Sequence, residues 1–291
     1  MRIAGINCLS HDASACIVQD GKVLYYDKGE GHYLHNDLVY TLKYFGPSMI
    51  SFFERPWVKK SRQIYSGQYA QVLTQTPASY LKSLGFDLPI VYQNHHKSHA
   101  AAGYFNSKYE SAAIVVADAI GEWTCTSIWH AKGNDLRQVY NVDYPHSLGL
   151  FYSAFTDLLG FEPNSEEYKF YQLAQEGDPS HYYSIVNGYF KSDFHLRYNL
   201  HTRITDWPFA INEINKKHIA ASVQKVFCEK IDLLFSIAKQ LTGERNVVFM
   251  GGCAANKLAA DQHTKHFDNL YSYDKVGDAG SSVGAALLIG R

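Results

Sequence analysis

The segment AAIVVADAIGEWTCTSIWHAKGNDLRQVYNV, residues 112–142, decides how the chain folds. It begins with an apolar, β-branched run (112–117), turns at residues 118–122, and continues as two further strands joined by a polar turn at 132–135. Apolar, β-branched runs between turn-forming residues are typical of strands. The segment therefore predicts a three-stranded meander whose first turn carries an acidic side chain, Asp118.

The same design occurs near the N-terminus, in IAGINCLSHDASACIVQDGKVLYY, residues 3–26. Its first strand is followed by a turn that contains Asp12, and its second strand is followed by the hairpin signal Asp20-Gly21. We interpret the two segments as an internal duplication, although two unrelated hairpins would give the same local pattern. Two such halves would face each other across a cleft lined by both first turns, whose backbone N–H groups suit phosphate oxygens.

Composition places the chain among ordinary globular proteins. The 27 lysines and arginines nearly balance the 28 aspartates and glutamates, so the net charge of −1 attracts neither nucleic acid nor membranes over a long range. This balance does not exclude a local basic patch on the surface. The five scattered cysteines have no paired spacing, which indicates reduced thiols in a cytoplasmic protein. No signal peptide is recognisable, and no run is long and apolar enough to span a bilayer.

A histidine-rich stretch, Asn-His-His-Lys-Ser-His-Ala-Ala-Ala at 94–102, follows a short strand predicted at 89–92. If a helix begins near His95, then His95 and His99 lie one turn apart on the same face and can converge on one ion. Imidazole is a common ligand for borderline metals, but most histidine pairs with this spacing bind nothing. A metal site here would need carboxylate ligands from elsewhere in the chain.

Three further segments bear on function. Residues 28–88 are predicted to be mainly helix and loop, with a basic run at 59–62 that is either a solvated face or a phosphate contact. Residues 178–208 interleave aromatic and cationic side chains, as expected either for an acceptor-binding surface or for an insertion that packs on itself. Residues 211–242 give the clearest helical pattern, and Gly243 is a natural C-cap.

Two glycine-rich stretches close the chain. A buried strand predicted at 246–250 leads into Gly251-Gly252, a weak signal for a helix that receives a nucleotide. Asp278 lies between glycines at the start of another helix of small residues, so its carboxylate can project into the cleft.

Six short motifs stand together in the order of a known family. They are Ser10-His11-Asp12-Ala13-Ser14, His95-His96-x-x-His99-Ala-Ala, Val115-Val116-Ala117-Asp118-x-x-Gly121-Glu122, Glu167-Tyr168-Lys169, Gly251-Gly252-Cys253-Ala254-x-Asn256 and Gly277-Asp278-x-Gly280. Through them the chain resembles the catalytic domain of O-carbamoyltransferases of the nodulation and antibiotic-tailoring (NodU/CmcH) type. It is also similar to the universal tRNA threonylcarbamoyl-adenosine transferase.

The resemblance implies an α/β fold, namely a duplicated RNase H-like domain of the actin/Hsp70/sugar-kinase superfamily with an active-site cleft between the halves. We expect the first half to span 1–110 with a helical insertion. The second half would span 111–291, with the aromatic and basic insertion at 178–208.

The resemblance also implies a set of site residues. A mononuclear metal, commonly iron, with zinc or manganese as alternatives, would be held by His95, His99, Asp118 and Asp278. Catalytic roles would fall to His11, Asp12 and Lys169. ATP or carbamoyl-adenylate would be bound by Ser14, Gly121, Glu122, Gly251, Gly252, Asn256 and Gly277.

In function, the resemblance implies the large, catalytic subunit of an O-carbamoyltransferase. The family makes carbamoyl-adenylate from carbamoyl phosphate and ATP and then transfers the carbamoyl group to a hydroxyl. Two classes of acceptor are considered: a hydroxymethylated nucleobase, in a nucleotide or in DNA, and otherwise a sugar or natural product. The alternatives are a relative of the tRNA threonylcarbamoyl-adenosine transferase and a non-catalytic nucleotide-binding subunit.

Two departures from the family pattern carry expectations of their own. Family members usually continue into a YrdC-like domain that forms the adenylate, so either a separate subunit supplies this activity, as we expect, or the activity is lost. The family's basic, histidine-containing segment after the first meander is poorly matched by residues 28–35. His32 or His35 would have to replace its phosphate contacts.

Overall fold

The computed structural model describes all 291 residues, and its strands form two mixed sheets. The first half contributes β1 (Arg2–Asn7), β2 (Ala13–Gln19), β3 (Lys22–Gly29), β4 (Met49–Phe52) and β5 (Ile90–Tyr92). The second half contributes β6 (Ser111–Ala117), β7 (Thr124–Lys132), β8 (Asp135–Asp143), β9 (Asn246–Met250) and β10 (Asn269–Tyr271).

The two sheets repeat one topology. Their strand orders are β3-β2-β1-β4-β5 and β10-β9-β6-β7-β8. In each sheet the first strand of the meander pairs in parallel with a fourth strand, which in turn pairs in parallel with a fifth. This repetition confirms the predicted duplicated α/β fold.

Helices cover the sheets. The helices of the first half are α1 (Asn36–Phe45), α2 (Pro56–Tyr65), α3 (Tyr69–Val72), α4 (Pro77–Ser83) and α5 (His95–Asn106). Those of the second half are α6 (Leu148–Leu158), α7 (Glu167–Ala174), α8 (Tyr183–Asn187), α9 (Glu213–Thr242), α10 (Lys257–Ala260) and α11 (Asp278–Leu287). Side chains of α1 and α4 pack on one face of the first sheet, and those of α6 and α9 pack on one face of the second. No helix combines the length and the apolar character needed to cross a membrane.

Helices α5 and α11 lie between the two sheets and connect the halves. The alanines of α5 pack on Ile114 and Val116 of the second sheet, whereas Val283 and Ala286 of α11 pack on the first sheet. The last helix of the chain therefore completes the core of the first half, across the boundary expected at residue 110. The two helices touch at Gly284, where a Cβ atom would lie 1.8 Å from the carbonyl oxygen of Ser98.

Two stretches differ from the prediction. The segment 28–88, predicted to be mainly helix and loop, also contains β4, a largely buried strand between β1 and β5 in the first sheet. Its four residues are too few to show the alternation that marks a strand. The double glycine was expected to open a helix, but from Gly252 the chain first forms a 3₁₀ turn and then the four-residue helix α10.

The insertion at 178–208 contains little regular structure. Its aromatic side chains largely belong to the core of the second half, since Tyr189, Phe190 and Phe194 are buried there. This finding favours an insertion that packs on the domain over an aromatic surface for ligands. Within the insertion, only Leu200, His201 and Arg203 line the cleft.

Candidate active site

Four side chains converge where α5, α11 and the end of β6 meet. Nε2 of His95 and Nε2 of His99 are 3.2 Å apart. The Asp118 Oδ2 atom lies 3.3 and 3.4 Å from these nitrogens, and the Asp278 Oδ1 atom lies 3.3 and 3.2 Å from them. All four atoms are within 4.8 Å of one another. The structure thus brings together the four residues that the family resemblance implies as metal ligands.

Local structure fixes each member of this cluster. Asn94 caps α5, because its side chain accepts a hydrogen bond from the backbone of Lys97 at 2.8 Å, and the helix then places both histidines on one face. The second carboxylate oxygen of Asp118 accepts hydrogen bonds from the backbone N–H groups of Ala119, at 2.8 Å, and Gly252, at 3.2 Å. Only one oxygen of Asp118 therefore faces the histidines.

The electrostatics of the cluster suit a cation. Burial opposes charge on all four groups, yet the charge of Asp278 and hydrogen bonds to both aspartates raise the pKa of His95 well above its ordinary value. Although burial acts in the opposite direction, the histidines lower the pKa of Asp118 well below its ordinary value. Protons and a divalent metal ion would compete for the same four atoms, because metal ligands must be deprotonated.

The donor set fits a single divalent metal. Two imidazole nitrogens and two carboxylate oxygens are ligands that iron, zinc and manganese all accept. The arrangement also leaves one side of the cluster open to the cleft, since both aspartates line it. The donors do not distinguish among these metals.

Glu54 is a buried acid beside the cluster that the sequence analysis missed. It lies two residues after the end of β4, and only 4% of its surface is exposed. Its Oε2 atom lies 3.6 Å from Nδ1 of His95, and its Oε1 atom accepts a hydrogen bond from Lys59 at 2.7 Å. The available signal was positional, because Glu54 lies two residues after a buried strand that runs parallel to β1, and an acidic side chain near the end of such a strand can reach the cleft.

A cleft of about 1050 Å³ lies between the halves and reaches the cluster. The first turns of both meanders line it, as the duplication predicted, through residues 9–12 on one side and 118–121 on the other. His11 and Asp12 are both in this lining. Of the two candidate substitutes for phosphate contacts, His32 faces the cleft, whereas His35 caps α1.

The residues expected to bind the nucleotide divide into two groups. Gly121, Gly252, Asn256 and Gly277 line the cleft. Asn256 is held in place by a mutual pair of amide hydrogen bonds with Gln224, at 2.8 and 3.0 Å. These positions are compatible with a cradle for the adenosine part.

Three residues that were expected to contact the nucleotide have structural roles in the packed interior. Ser14 is fully buried and donates a hydrogen bond to the carbonyl oxygen of Ala279 at 2.7 Å, so it anchors α11. The buried carboxylate of Glu122 is held by the guanidinium and the backbone N–H of Arg55, so it joins the two halves. Gly251 has a φ of 89°, and a Cβ there would lie 2.2 Å from the Ala117 carbonyl oxygen. A glycine is therefore needed here for the backbone conformation and for its close contact with Ala117.

Lys169 also lies elsewhere than expected. Its ammonium group forms an ion pair with Glu166, and 43% of its side chain is exposed. The cleft is lined instead by its neighbours Glu167 and Tyr168. Lys169 itself does not line the cleft, so no contact in the structure supports the catalytic role that the sequence motif suggested for it.

Comparison with known proteins identifies relatives of this chain. Residues 57–287 match the family model described as carbamoyltransferase N-terminus. An uncharacterized protein of Synechocystis is 30% identical over 99% of this chain and 56% of its own length. The nodulation protein NolO of Bradyrhizobium diazoefficiens is 24% identical over 67% of this chain and 38% of its own length. The chain thus spans about half, or less, of the length of the curated relatives it matches.

Solved structures show the same fold at low identity. Component A of the (R)-2-hydroxyglutaryl-CoA dehydratase of Acidaminococcus fermentans superimposes with a TM-score of 0.58 and 11% identity. The match covers 99% of this chain and 96% of that one. With the repeated sheet topology, this likeness establishes the actin/Hsp70/sugar-kinase fold.

Proposed function

Because the chain belongs to the family of carbamoyltransferase N-terminal domains, we propose that it is the catalytic subunit of an O-carbamoyltransferase. It would transfer a carbamoyl group from carbamoyl-adenylate to the hydroxyl group of an acceptor. The observation that carries the proposal is the convergence of two histidines and two aspartates at the cleft that His11 and Asp12 also line.

In the proposed reaction, the acceptor oxygen attacks the carbamoyl carbon while His11 takes the proton of the hydroxyl group. A new bond forms between that oxygen and the carbamoyl carbon, and the bond from the carbon to the phosphate oxygen breaks, which releases AMP. His11 suits the task because an imidazole nitrogen can accept a proton and this one is exposed in the cleft. A metal held by His95, His99, Asp118 and Asp278 would stabilise negative charge as it develops.

The remaining cleft residues would hold the adenylate. Gly252 and Gly277 lie next to Asp118 and Asp278 and have no side chain. Their backbone can therefore approach a phosphate that lies near these two aspartates. Asn256, fixed by Gln224, would border the adenosine part. Carbamoyl phosphate and ATP would be converted to the adenylate by a YrdC-like partner.

The acceptor is a finer part of the proposal. The two acceptor classes are a hydroxymethylated nucleobase, in a nucleotide or in DNA, and a sugar or natural product. A threonylcarbamoyl transferase acting on tRNA is the second enzymatic candidate, and a non-catalytic nucleotide-binding subunit is the third option. The intact set of cleft histidines and acids argues against the third.

Synthetic carbamoyl-adenylate tests the proposal without any partner. The metal-loaded chain is incubated with isotopically labelled carbamoyl-adenylate and a panel of hydroxymethylated nucleosides, nucleotides and sugars, and products are analysed by mass spectrometry. We expect AMP release together with a labelled carbamate ester on one acceptor class. If a labelled threonylcarbamoyl group is accepted by tRNA and carbamoyl is not, the second candidate is correct.

A further inference from the structure

Arg62 is a buried cation in the cleft wall that lacks a carboxylate partner. Only 5% of its surface is exposed. Its Nε donates a hydrogen bond to the carbonyl oxygen of Glu122 at 3.0 Å, and its Nη1 donates one to Oε1 of Gln68 at 2.9 Å. Both acceptors are neutral. Two other cations on or next to α2 have carboxylate partners, Arg55 with Glu122 and Lys59 with Glu54.

The groups that contact Arg62 are polar but uncharged, and the charge of Glu54 acts on it only from beyond ion-pair distance. The Tyr144 ring centroid lies 5.7 Å from the guanidinium carbon, and the Tyr144 hydroxyl is 3.3 Å from His201. His201 also lies 3.5 Å from the amide nitrogen of Gln68. Burial, and then the charge of Arg62, lower the pKa of His201, so this imidazole stays neutral beside the arginine. A buried charge without a counterion is costly, and an anion from the cleft would remove that cost.

This cationic position is separate from the expected adenosine cradle. The side chains around Arg62 come from α2, from Gln68 and from the second half at Tyr144 and His201. None of them contacts Asn256, which is paired with Gln224. An anion at Arg62 would therefore belong to a group other than the adenosine part.

We propose that Arg62 binds a phosphate group carried by the acceptor. This inference rests on the proposed function, because it places the acceptor in the same cleft. A guanidinium group presents a planar fork of donors that matches phosphate oxygens. Since Arg62 can be reached only from within the cleft, a terminal phosphate on a small molecule fits better than the backbone of a polymer. The acceptor is then a phosphorylated compound, such as a hydroxymethylated nucleoside monophosphate, rather than a neutral sugar.

Inorganic phosphate is the probe that tests this subsite. Its binding to the metal-loaded chain is measured by calorimetry, with and without saturating AMP. Arg62→Met removes the charge, and Lys60→Met is the matched control on the same helix, because Lys60 contacts Trp57 and the Thr74 carbonyl instead of the cleft. Arg62→Lys, which keeps the charge and loses the fork, replaces Arg62→Met if the latter does not fold.

We expect the wild type and Lys60→Met to bind phosphate equally well while AMP is bound, and Arg62→Met to bind it at least about tenfold more weakly. Binding that is absent from the wild type, or unchanged in the Arg62 variants, overturns the subsite. Binding that AMP abolishes assigns the anion to the nucleotide and overturns the link to the acceptor. Much tighter binding of carbamoyl phosphate than of phosphate at Arg62 would likewise assign the anion to the donor.

Failure of this inference is distinguishable from failure of the proposed function. Phosphate binding is measured without turnover, so it does not depend on carbamoyl transfer. Transfer without an Arg62-dependent phosphate site would remove the subsite alone. A phosphate site in a chain that never releases AMP from carbamoyl-adenylate would contradict the proposed function alone.

Discussion

Glu54 Oε2 lies 3.6 Å from Nδ1 of His95, while Nε2 of the same imidazole faces Asp118 and Asp278. The ring is therefore placed between a buried carboxylate on one side and the ligand cluster on the other. Metal-binding histidines commonly donate their second N–H to such a carboxylate, which fixes the tautomer and the orientation of the ring. Lys59 holds Glu54 through its other oxygen and so connects α2 to the cluster.

Replacing Glu54 should weaken the metal site without removing a ligand. We expect Glu54→Gln to lower metal affinity by roughly 10- to 100-fold, as is typical when an outer partner of a ligand is lost. Competition with a coloured chelator measures this affinity directly. Glu176→Gln, at an exposed position, is the control and should leave the affinity unchanged. Equal affinities in both variants would show that Glu54 does not orient His95.

Asp118→Asn should remove the metal and leave the fold intact. The amide is nearly isosteric, and its oxygen can still accept the hydrogen bond from the backbone of Ala119. It can no longer offer a charged oxygen to the cation beside His95 and His99. Elemental analysis should find little metal in the variant, with a circular dichroism spectrum like that of the wild type. Full metal content in Asp118→Asn would rule out this residue as a ligand.

His11→Ala should slow transfer while the metal is retained. General-base catalysis contributes about 10²- to 10⁴-fold, so a loss in this range is expected for single-turnover transfer from carbamoyl-adenylate. His11 is not part of the ligand cluster, so metal content should match the wild type. Wild-type turnover in His11→Ala would assign the proton transfer to another group, and His32 in the same cleft would be the next candidate.

Gly284→Ala should destabilise the contact between the two central helices. Its methyl group would meet the Ser98 carbonyl oxygen, which belongs to backbone that cannot rotate away. We expect the free energy of unfolding to fall by at least about 2 kcal/mol, at the scale of an overpacked core. Gly277→Ala, with no atom near the added methyl, is the control in the same denaturant titration. Equal stabilities would mean that α5 and α11 do not depend on this close approach.

The sequence predicted the fold and the ligand cluster for different reasons. The two meanders were visible because strand patterns and turn residues recur in both halves, with Asp12 and Asp118 in equivalent turns. The cluster itself joins residues that are distant in sequence, so only the histidine pair could be read from local spacing. The aspartates came from the family motifs, and the structure then placed all four side chains together.

The direction of individual side chains could not be predicted in the same way. Ser14 and Glu122 belong to motifs whose neighbours line the cleft, yet both face packed interfaces between elements. In the basic run of α2, Lys59 and Arg62 share one helical face that turns toward the cleft, whereas Lys60 points away. That distinction depends on where α2 docks, which is a tertiary property that a helical pattern does not contain.

One measurement tests most directly whether the four-residue cluster serves carbamoyl transfer. AMP release from synthetic carbamoyl-adenylate, in the presence of an acceptor, is followed for the purified chain before metal removal, after removal, and after restoring iron, zinc or manganese. We predict that transfer disappears with the metal and returns when one equivalent per chain is restored. Undiminished transfer by the metal-free chain would contradict the account, because His95, His99, Asp118 and Asp278 would then have no role as metal ligands in the reaction.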